Sequence, residues 1–248
     1  MSYGIGDLLI KMKRILKSLL YIFLILATVV LILNLKVTTR QGINYQTRTL
    51  KIPLYLKLLD FFDRHYNYIE LVKRIVKDAK TDEERVMRIF EWTYENVKKT
   101  PPGLPIIDDH VWHIVVRGYG ARDQFSDIFA TLCNYARVKA FYSWIYTKDR
   151  SSRIPLSFVK LDKKWCVFDS YNGTYFKDKD GGFASIEDIA KGNWVTNAVS
   201  ESNKLDFDYS IYLANIPSRI KEGFSRSTIQ SPIRRLLFQI KEWLINTN

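Results

Sequence analysis

The stretch GYGARDQFSDIFATLC, Gly118 to Cys133, sets two glycines ahead of an apolar repeat at Phe125, Ile128, Phe129 and Leu132. Spacings of three and four residues belong to a helix with one buried stripe, and glycines in front of such a stripe mark a turn. The segment is therefore expected to be a glycine-flanked turn running into a helix over Asp123 to Ala136, with Ala136 as the last inward residue.

Working outward, Thr81 and Glu84 form the capping box T-D-E-E at the head of a second helix. Its stripe is Val86, Ile89, Phe90, Thr93 and Val97, and Pro101 and Pro102 stop it. Before it, Tyr55 to Lys80 has helical apolar spacing that lapses at His65 to Asn67, which predicts two helices there. Residues 101–109 read as a loop, and Val111 to Val116 as a short strand or a helical turn. After Ala136 the period changes to two. KAFYSWIY (Lys139 to Tyr146), LSFVKL (Leu156 to Leu161) and WCVFD (Trp165 to Asp169) are β-rich, and Asp162, Lys163 and Lys164 make a tight turn between the last two. Helices followed by an antiparallel meander predict an α+β domain.

The ends of the chain differ from this middle. Ser18 to Leu35 is free of charge, and a spanning helix needs about 20 apolar residues, with Ile15 and Leu16 extending this one. The core is too long for a cleaved signal peptide and lacks a small-x-small cleavage site. Lys11, Lys13, Arg14 and Lys17 precede it, so the positive-inside rule places the amino terminus in the cytoplasm and the rest of the chain outside. The expected division is a basic N-terminus at 1–14, a transmembrane anchor at 15–36, a polar spacer at 37–52, a folded domain at 53–215 and a tail at 216–248. The tail ends in an amphipathic helix, Pro232 to Ile245, expected to pack on the domain, with a membrane surface as the alternative.

Lysine plus arginine outnumber aspartate plus glutamate by 38 to 26, a net charge of +12. Most of that excess lies beyond the span, so an anionic partner is expected. No nucleic-acid recognition motif accompanies the charge, which leaves nucleic acid an unsupported partner. Two cysteines, Cys133 and Cys166, do not make a disulfide scaffold, and sequence leaves open whether they pair. His110 and His113 have a spacing that suits metal on a helix but lack a third ligand, so no metal or other cofactor is expected.

Three segments resemble the transglutaminase-like superfamily, the papain-like cysteine hydrolase and acyl-transfer fold. IFEWTYENVKKTP (Ile89 to Pro101) resembles the helix preceding the active site; GYGARDQFSDIFATL, with its GxGxxDQ form, resembles the nucleophile helix; and IPLSFVKLDKKWCVFDSYNGTYF (Ile154 to Phe176) resembles the hairpin bearing the histidine and aspartate. The resemblance implies helices packed on an antiparallel sheet, a cysteine thiolate at the helix start, a histidine base and an orienting aspartate. Placed on this sequence without gaps, the cysteine position falls on Arg122, or on Ala121 with a shift of one. The histidine position falls on Ile154 and the aspartate on Asp169.

Neither cysteine replaces the missing one. Cys133 is about 16 Å further along the helix, and Cys166 is an odd number of residues from Asp169 on a strand, so it points to the other face. Ser126, one turn into the helix, is expected to have a surface or packing role rather than to serve as a nucleophile. A cation at a helix amino terminus opposes the macrodipole by about 0.3 to 1 kcal/mol, so Arg122 needs an anion, and Asp169 is the candidate. The opposing expectation has Arg122 in solvent and Asp169 capping the turn before Asn172 and Gly173. The candidate binding cleft is Arg122, Asp123, Gln124, Asp169, His110, His113 and Trp165, within a region rich in aromatics (Trp112, Tyr119, Phe141, Trp144). The function expected is binding or scaffolding of a protein or an anionic envelope polymer by a degenerate domain. The alternative is an acyl hydrolase or transferase with a rearranged site.

Overall fold

Both ends of the hairpin turn at Asp162 and Lys163 have positive φ, 43° and 68°. That is the geometry of a two-residue type I′ turn, which matches the twist of the strands it joins. A computed structural model describes residues 4–43, 46–107, 110–200, 207–217 and 225–246. Asp108 and Asp109, which end the expected 101–109 loop, lie outside the described residues, as do 218–224 within the expected tail.

The chain divides into two compact units, residues 1–41 with 48–61, and residues 42–47 with 62–248. In the first, α1 (Gly4–Leu33) contains the candidate span Leu8–Leu33, whose most apolar 18 residues have a mean hydropathy of 2.6 and are not buried. At 1.5 Å per residue its 26 residues reach about 39 Å, longer than the roughly 30 Å of a bilayer's hydrocarbon. The helix ends at Leu33, three residues short of the expected boundary. The segment expected to be a spacer is instead two paired strands, β1 (Lys36–Ile43) and β2 (Gln46–Pro53). Within this unit Leu54 N–H donates to Leu35 O at 2.9 Å and Lys57 Nζ to Thr38 O at 2.7 Å.

The helix α2 (Leu54–Ile75) begins in the first unit and ends in the second, and it is continuous where two helices were expected. The lapse in its apolar pattern is a polar stretch of a single inner face: Arg64, Tyr68 and Val72, four residues apart, are all buried. His65 within the lapse meets the Tyr135 hydroxyl at 2.8 Å.

In the second unit α3 (Asp82–Asn96) starts at the Thr81 cap, whose hydroxyl accepts from Glu84 N–H at 3.1 Å. Val86, Ile89, Phe90, Thr93 and Val97 are all buried, as its stripe requires. The short strands β3 (Lys98–Lys99) and β4 (Tyr119–Gly120) pair in parallel on either side of α4 (Val111–Arg117), which settles the ambiguous 111–116 segment as helix. Then follow α5 (Arg122–Tyr135) and a five-stranded antiparallel meander in sequence order: β5 (Ala140–Tyr146), β6 (Arg153–Leu161), β7 (Lys164–Asp169), β8 (Thr174–Lys177) and β9 (Val195–Ala198). Two short helices, α6 (Ile186–Ala190) and α7 (Ser210–Leu213), and the C-terminal α8 (Pro232–Asn246) complete the described elements.

The period-two alternation of β6 and β7 feeds two cores. Val159, Leu161, Cys166 and Phe168 join the helices in one, while Ile154, Leu156, Phe158 and Val167 join Phe176, Ile186 and Tyr209 in the other. Buried aromatic side chains contribute about 1.5–3 kcal/mol each, and Phe90, Phe129 and Phe168 meet at centroid distances of 5.3–5.4 Å. Every residue of α5 from Gln124 to Cys133 is buried, polar ones included. By contrast, α8 does not bury its apolar face on the domain as expected: Ile233, Leu236, Leu237 and Ile240 are exposed.

Candidate functional site

The first turn of α5 sits where β4 delivers it. Lys98 N–H donates to Gly118 O at 2.7 Å and Thr100 N–H to Gly120 O at 3.0 Å, which pins the turn to the end of α3. Gly120 has no room for a side chain without displacement, since a Cβ would stand 3.3 Å from both Gln124 and Ile114. Ala121 occupies the cap position and has no side-chain oxygen to offer the helix. Gln124 supplies the missing half: its Oε1 accepts from Ala121 N–H at 2.9 Å, and its Nε2 donates to Ile107 O at 2.6 Å. Gln124 is thus a buried staple between the helix start and the preceding loop, and both ends of its amide are engaged there.

Arg122, the first helical residue, points its guanidinium across to the end of β7. Nη2 stands 3.1 Å from Asp169 Oδ2, with the Arg122 side chain 25% exposed and that of Asp169 wholly buried. The guanidinium also stacks between two rings, 5.3 Å from the centroid of Tyr171 and 4.9 Å from that of Phe207. Such cation–π contacts contribute about 0.5–2 kcal/mol each.

Asp169 has further donors. Tyr209 Oη donates to Oδ2 at 2.9 Å and Asn172 Nδ2 at 3.0 Å, while Oδ1 accepts from the backbone N–H groups of Tyr171 at 3.1 Å and Asn172 at 3.3 Å. Asp169 therefore caps the following turn and pairs with Arg122 at once, one carboxylate oxygen for each duty. Burial, reinforced by the adjacent carboxylate charge, raises the Tyr209 hydroxyl well above its ordinary pKa, so it stays a donor across the physiological range.

The other residues of the expected cleft have surroundings of their own. Asp123 is half-buried in the first turn of α5, where its charge suits the macrodipole. His110 and His113 flank the start of α4 with ring centroids 5.4 Å apart, and the described partners of Arg122 and Asp169 include neither ring. Trp165 shares the Asp169 face of β7 but stands four residues earlier, about 13 Å along the strand; it packs edge-on against Phe141 at 5.1 Å, below Lys160. Ile154 is buried in the second core opposite Ile145. Continuing the Ser157–Phe168 register by one pair sets Leu156 opposite Asp169, with Ile154 two residues further along the same face.

No thiol approaches this cluster. Cys133 and Cys166 are both free and buried. Burial pushes the Cys133 thiol far up, and that of Cys166 up to about 12. Ser126 is fully buried, with its hydroxyl directed at Pro155 O at 3.5 Å. Among the described residues no three His, Cys, Asp or Glu side chains are grouped to hold a metal.

Tyr171 also lines a cavity of about 660 Å³, together with Tyr94, Glu95, Lys98, Lys99 and Phe125 among others. Lys99 Nζ stands 4.4 Å from the centroid of the Tyr171 ring, so that ring carries a cation from the cavity as well as Arg122. Tyr171, Asn172, Phe207 and Tyr209 belong to the cluster but carry no motif of their own. Only the S-Y-N-G turn after Asp169 signalled Asn172.

Residues 69–183 match the family model described as Transglutaminase-like superfamily. Among solved structures the chain is similar to a candidate cysteine protease from Cytophaga hutchinsonii, at 16% identity and a TM-score of 0.38, over 42% of this chain and 37% of that one. It is similar to a candidate protease from Parabacteroides distasonis, at 12% and 0.35, over 54% of this chain and 35% of that one. A third likeness, to a structure described as a TGase, has 12% identity and a TM-score of 0.35 over 54% of this chain and 43% of that one. The chain spans less than half the length of each, and at these values the likeness says nothing of what this chain acts on. No curated protein matches. The helix start and the first four strands of the meander lie within that match: over residues 69–183 the chain resembles the transglutaminase-like superfamily and has its fold.

Proposed function

We propose that this protein is a catalytically degenerate transglutaminase-like domain, held to a membrane by α1 with the domain outside the cytoplasm, that acts by binding a protein or an anionic envelope polymer. The observation that carries this is the occupant of the helix start. Where acyl-transfer chemistry needs a thiolate, Arg122 is tied to the buried Asp169 at 3.1 Å and clasped by two rings. A guanidinium is always charged and has no lone pair to attack with, and the apolar Ile154 and Leu156 supply no base. The carboxylate that would orient a histidine instead neutralises the arginine.

What remains is a surface suited to contact. The cavity beside Tyr171 has two exposed lysines and two tyrosines on its wall, a combination that takes carboxylate or phosphate groups and stacks against their carriers. The overall charge of +12 draws anionic partners to it.

Two measurements on the full chain test this. Incubated with peptide amides and amine acceptors, it turns none over, and iodoacetamide labels neither thiol under native conditions. Turnover abolished by Cys133→Ala, Cys166→Ala, His110→Ala or His113→Ala establishes the rearranged enzyme instead. Polygalacturonate, used as an anionic polysaccharide probe, binds in a salt-dependent way that Lys98→Gln with Lys99→Gln weakens by about ten-fold or more. Equal retention of that double variant removes the cavity from the account, and tighter salt-dependent retention on DNA favours nucleic acid. Installing Arg122→Cys with Ile154→His then asks whether the cleft geometry persists. A reactive, low-pKa thiol shows that the loss was purely chemical.

A further inference from the structure

Helix α8 plays no part in the cluster around Arg122. Its sequence, PIRRLLFQIKEWLIN, advances about 100° per residue, which gathers Ile233, Leu236, Leu237, Ile240, Trp243 and Leu244 on an arc of about 120°. Arg234 and Lys241 lie together on one side of that arc, and Phe238, Glu242 and Arg235 stand opposite it. Ile233 is 74% exposed, Leu236 58%, Leu237 53% and Ile240 45%. A contiguous apolar face open at successive turns marks an interaction surface rather than scattered surface residues. At the start of α8, Tyr135 Oη donates to Gln230 O at 3.2 Å, and Arg234 Nη1 donates to Asn134 Oδ1 at 3.2 Å.

We infer that α8 lies along the surface of an anionic lipid bilayer, with its apolar arc at the headgroup–acyl boundary and Arg234 and Lys241, beside the arc, among the headgroups. Charge selects this occupant, because the helix carries Arg234, Arg235 and Lys241 against the single acid Glu242. An amphipathic helix with a basic side and a tryptophan on its apolar side has the pattern of an interfacial element. Fifteen residues with four charges are too short and too polar to cross about 30 Å of hydrocarbon, so α8 lies on the bilayer and does not span it. The inference rests on the reading of α1 as an anchor, which keeps a bilayer within reach of the same chain. Its consequence is that the folded unit is held against the membrane at a second point, beyond the tether.

The test uses the full chain in vesicles of phosphatidylcholine with phosphatidylglycerol, carrying an environment-sensitive dye on one introduced cysteine. Cys133 and Cys166 are buried and stay unlabelled. Leu236→Cys places the dye on the arc, Glu242→Cys opposite it and Thr28→Cys within α1. Spin-labelled lipid is expected to quench the dyes at 28 and 236, while aqueous iodide quenches the one at 242. Lys241→Gln, beside the arc, is expected to weaken lipid contact at 236 by about five-fold. Quenching at 28 without quenching at 236 overturns the inference and leaves the anchor standing; quenching at neither overturns both. A dye at 236 that is shielded without lipid, and increasingly so with protein concentration, assigns the arc to a second copy of the chain and overturns the inference.

Discussion

Helices α3 and α8 are each 15 residues long and carry the same apolar period. In α3 the stripe of Val86, Ile89 and Phe90 is closed completely by α5 and the sheet, whereas in α8 Ile233 and Leu236 stand mostly in the open. The α3 helix also has a capped start at Thr81, and its C-terminal Val97 is buried. An amphipathic period says that a helix forms and which face seeks cover. It does not say whether the cover is the chain's own core or something else.

That contrast can be broken by measurement. The largest effect belongs to Phe90→Ala, which removes a ring touching Phe129, Phe168 and Tyr175 and is expected to cost about 3–5 kcal/mol in chemical unfolding. Leu236→Ala in α8 is expected to cost at most about 0.5 kcal/mol; a cost near that of Phe90→Ala shows that α8 is covered after all.

The same closed interior makes its polar contacts unforgiving. Asp169→Ala strands Arg122, Tyr209 and two backbone N–H groups and is expected to cost about 3–5 kcal/mol. Arg122→Met leaves the carboxylate with its four other donors and is expected to cost less, about 1–3 kcal/mol. Equal losses in a thermal melt mean that the carboxylate depends on the guanidinium rather than on the turn it caps.

A smaller effect tests the ends of the two helices. Thr81→Ala removes the α3 cap and is expected to cost about 1 kcal/mol, visible as a lower unfolding midpoint. The smallest is a pH effect near α8. Tyr135 Oη donates to Gln230 O, so His65 Nδ1 must donate to Tyr135. Burial lowers the His65 pKa below 6.5, so the unfolded chain holds the proton more tightly than the folded one. Stability is whole above the unfolded pKa and is lost as pH falls through the folded one. Melts in mild acid are expected to show a slight loss that His65→Gln abolishes, with protease cutting first near the α8 attachment rather than in α3.

Legibility followed distance along the chain. The α3 cap and stripe, the Asp162–Lys163 turn and the inward face of α5 are encoded by residues two to four apart, and all three form as the sequence implies. The break expected in α2 was an error of the same kind of reasoning, because an inner face built from Arg64 and Tyr68 looks like a lapse when only apolar residues are counted. In the site, Arg122 and Asp169 were found as a pair from the pattern and from the need to offset a cation at a helix start. Tyr209 was not, since it lies 40 residues from Asp169 with no periodicity to point there. Gln124 and Trp165 belong to the expected cleft; the structure adds that Gln124 is a staple inside the turn and that Trp165 packs edge-on against Phe141.

The residues alone determined that positions 122 and 154 hold an arginine and an isoleucine, that the chain carries one long uncharged stretch, and that helices precede β-rich segments. These depend on side-chain identity and on spacings of a few residues, which survive any arrangement of the elements. Only the tertiary structure decided that Asp169 serves Arg122 and the turn together, that Tyr171 and Phe207 clasp the guanidinium, that α5 is enclosed on every side and that α8 is not. Those outcomes depend on which distant segments meet when the chain closes on itself, and no local pattern carries that information.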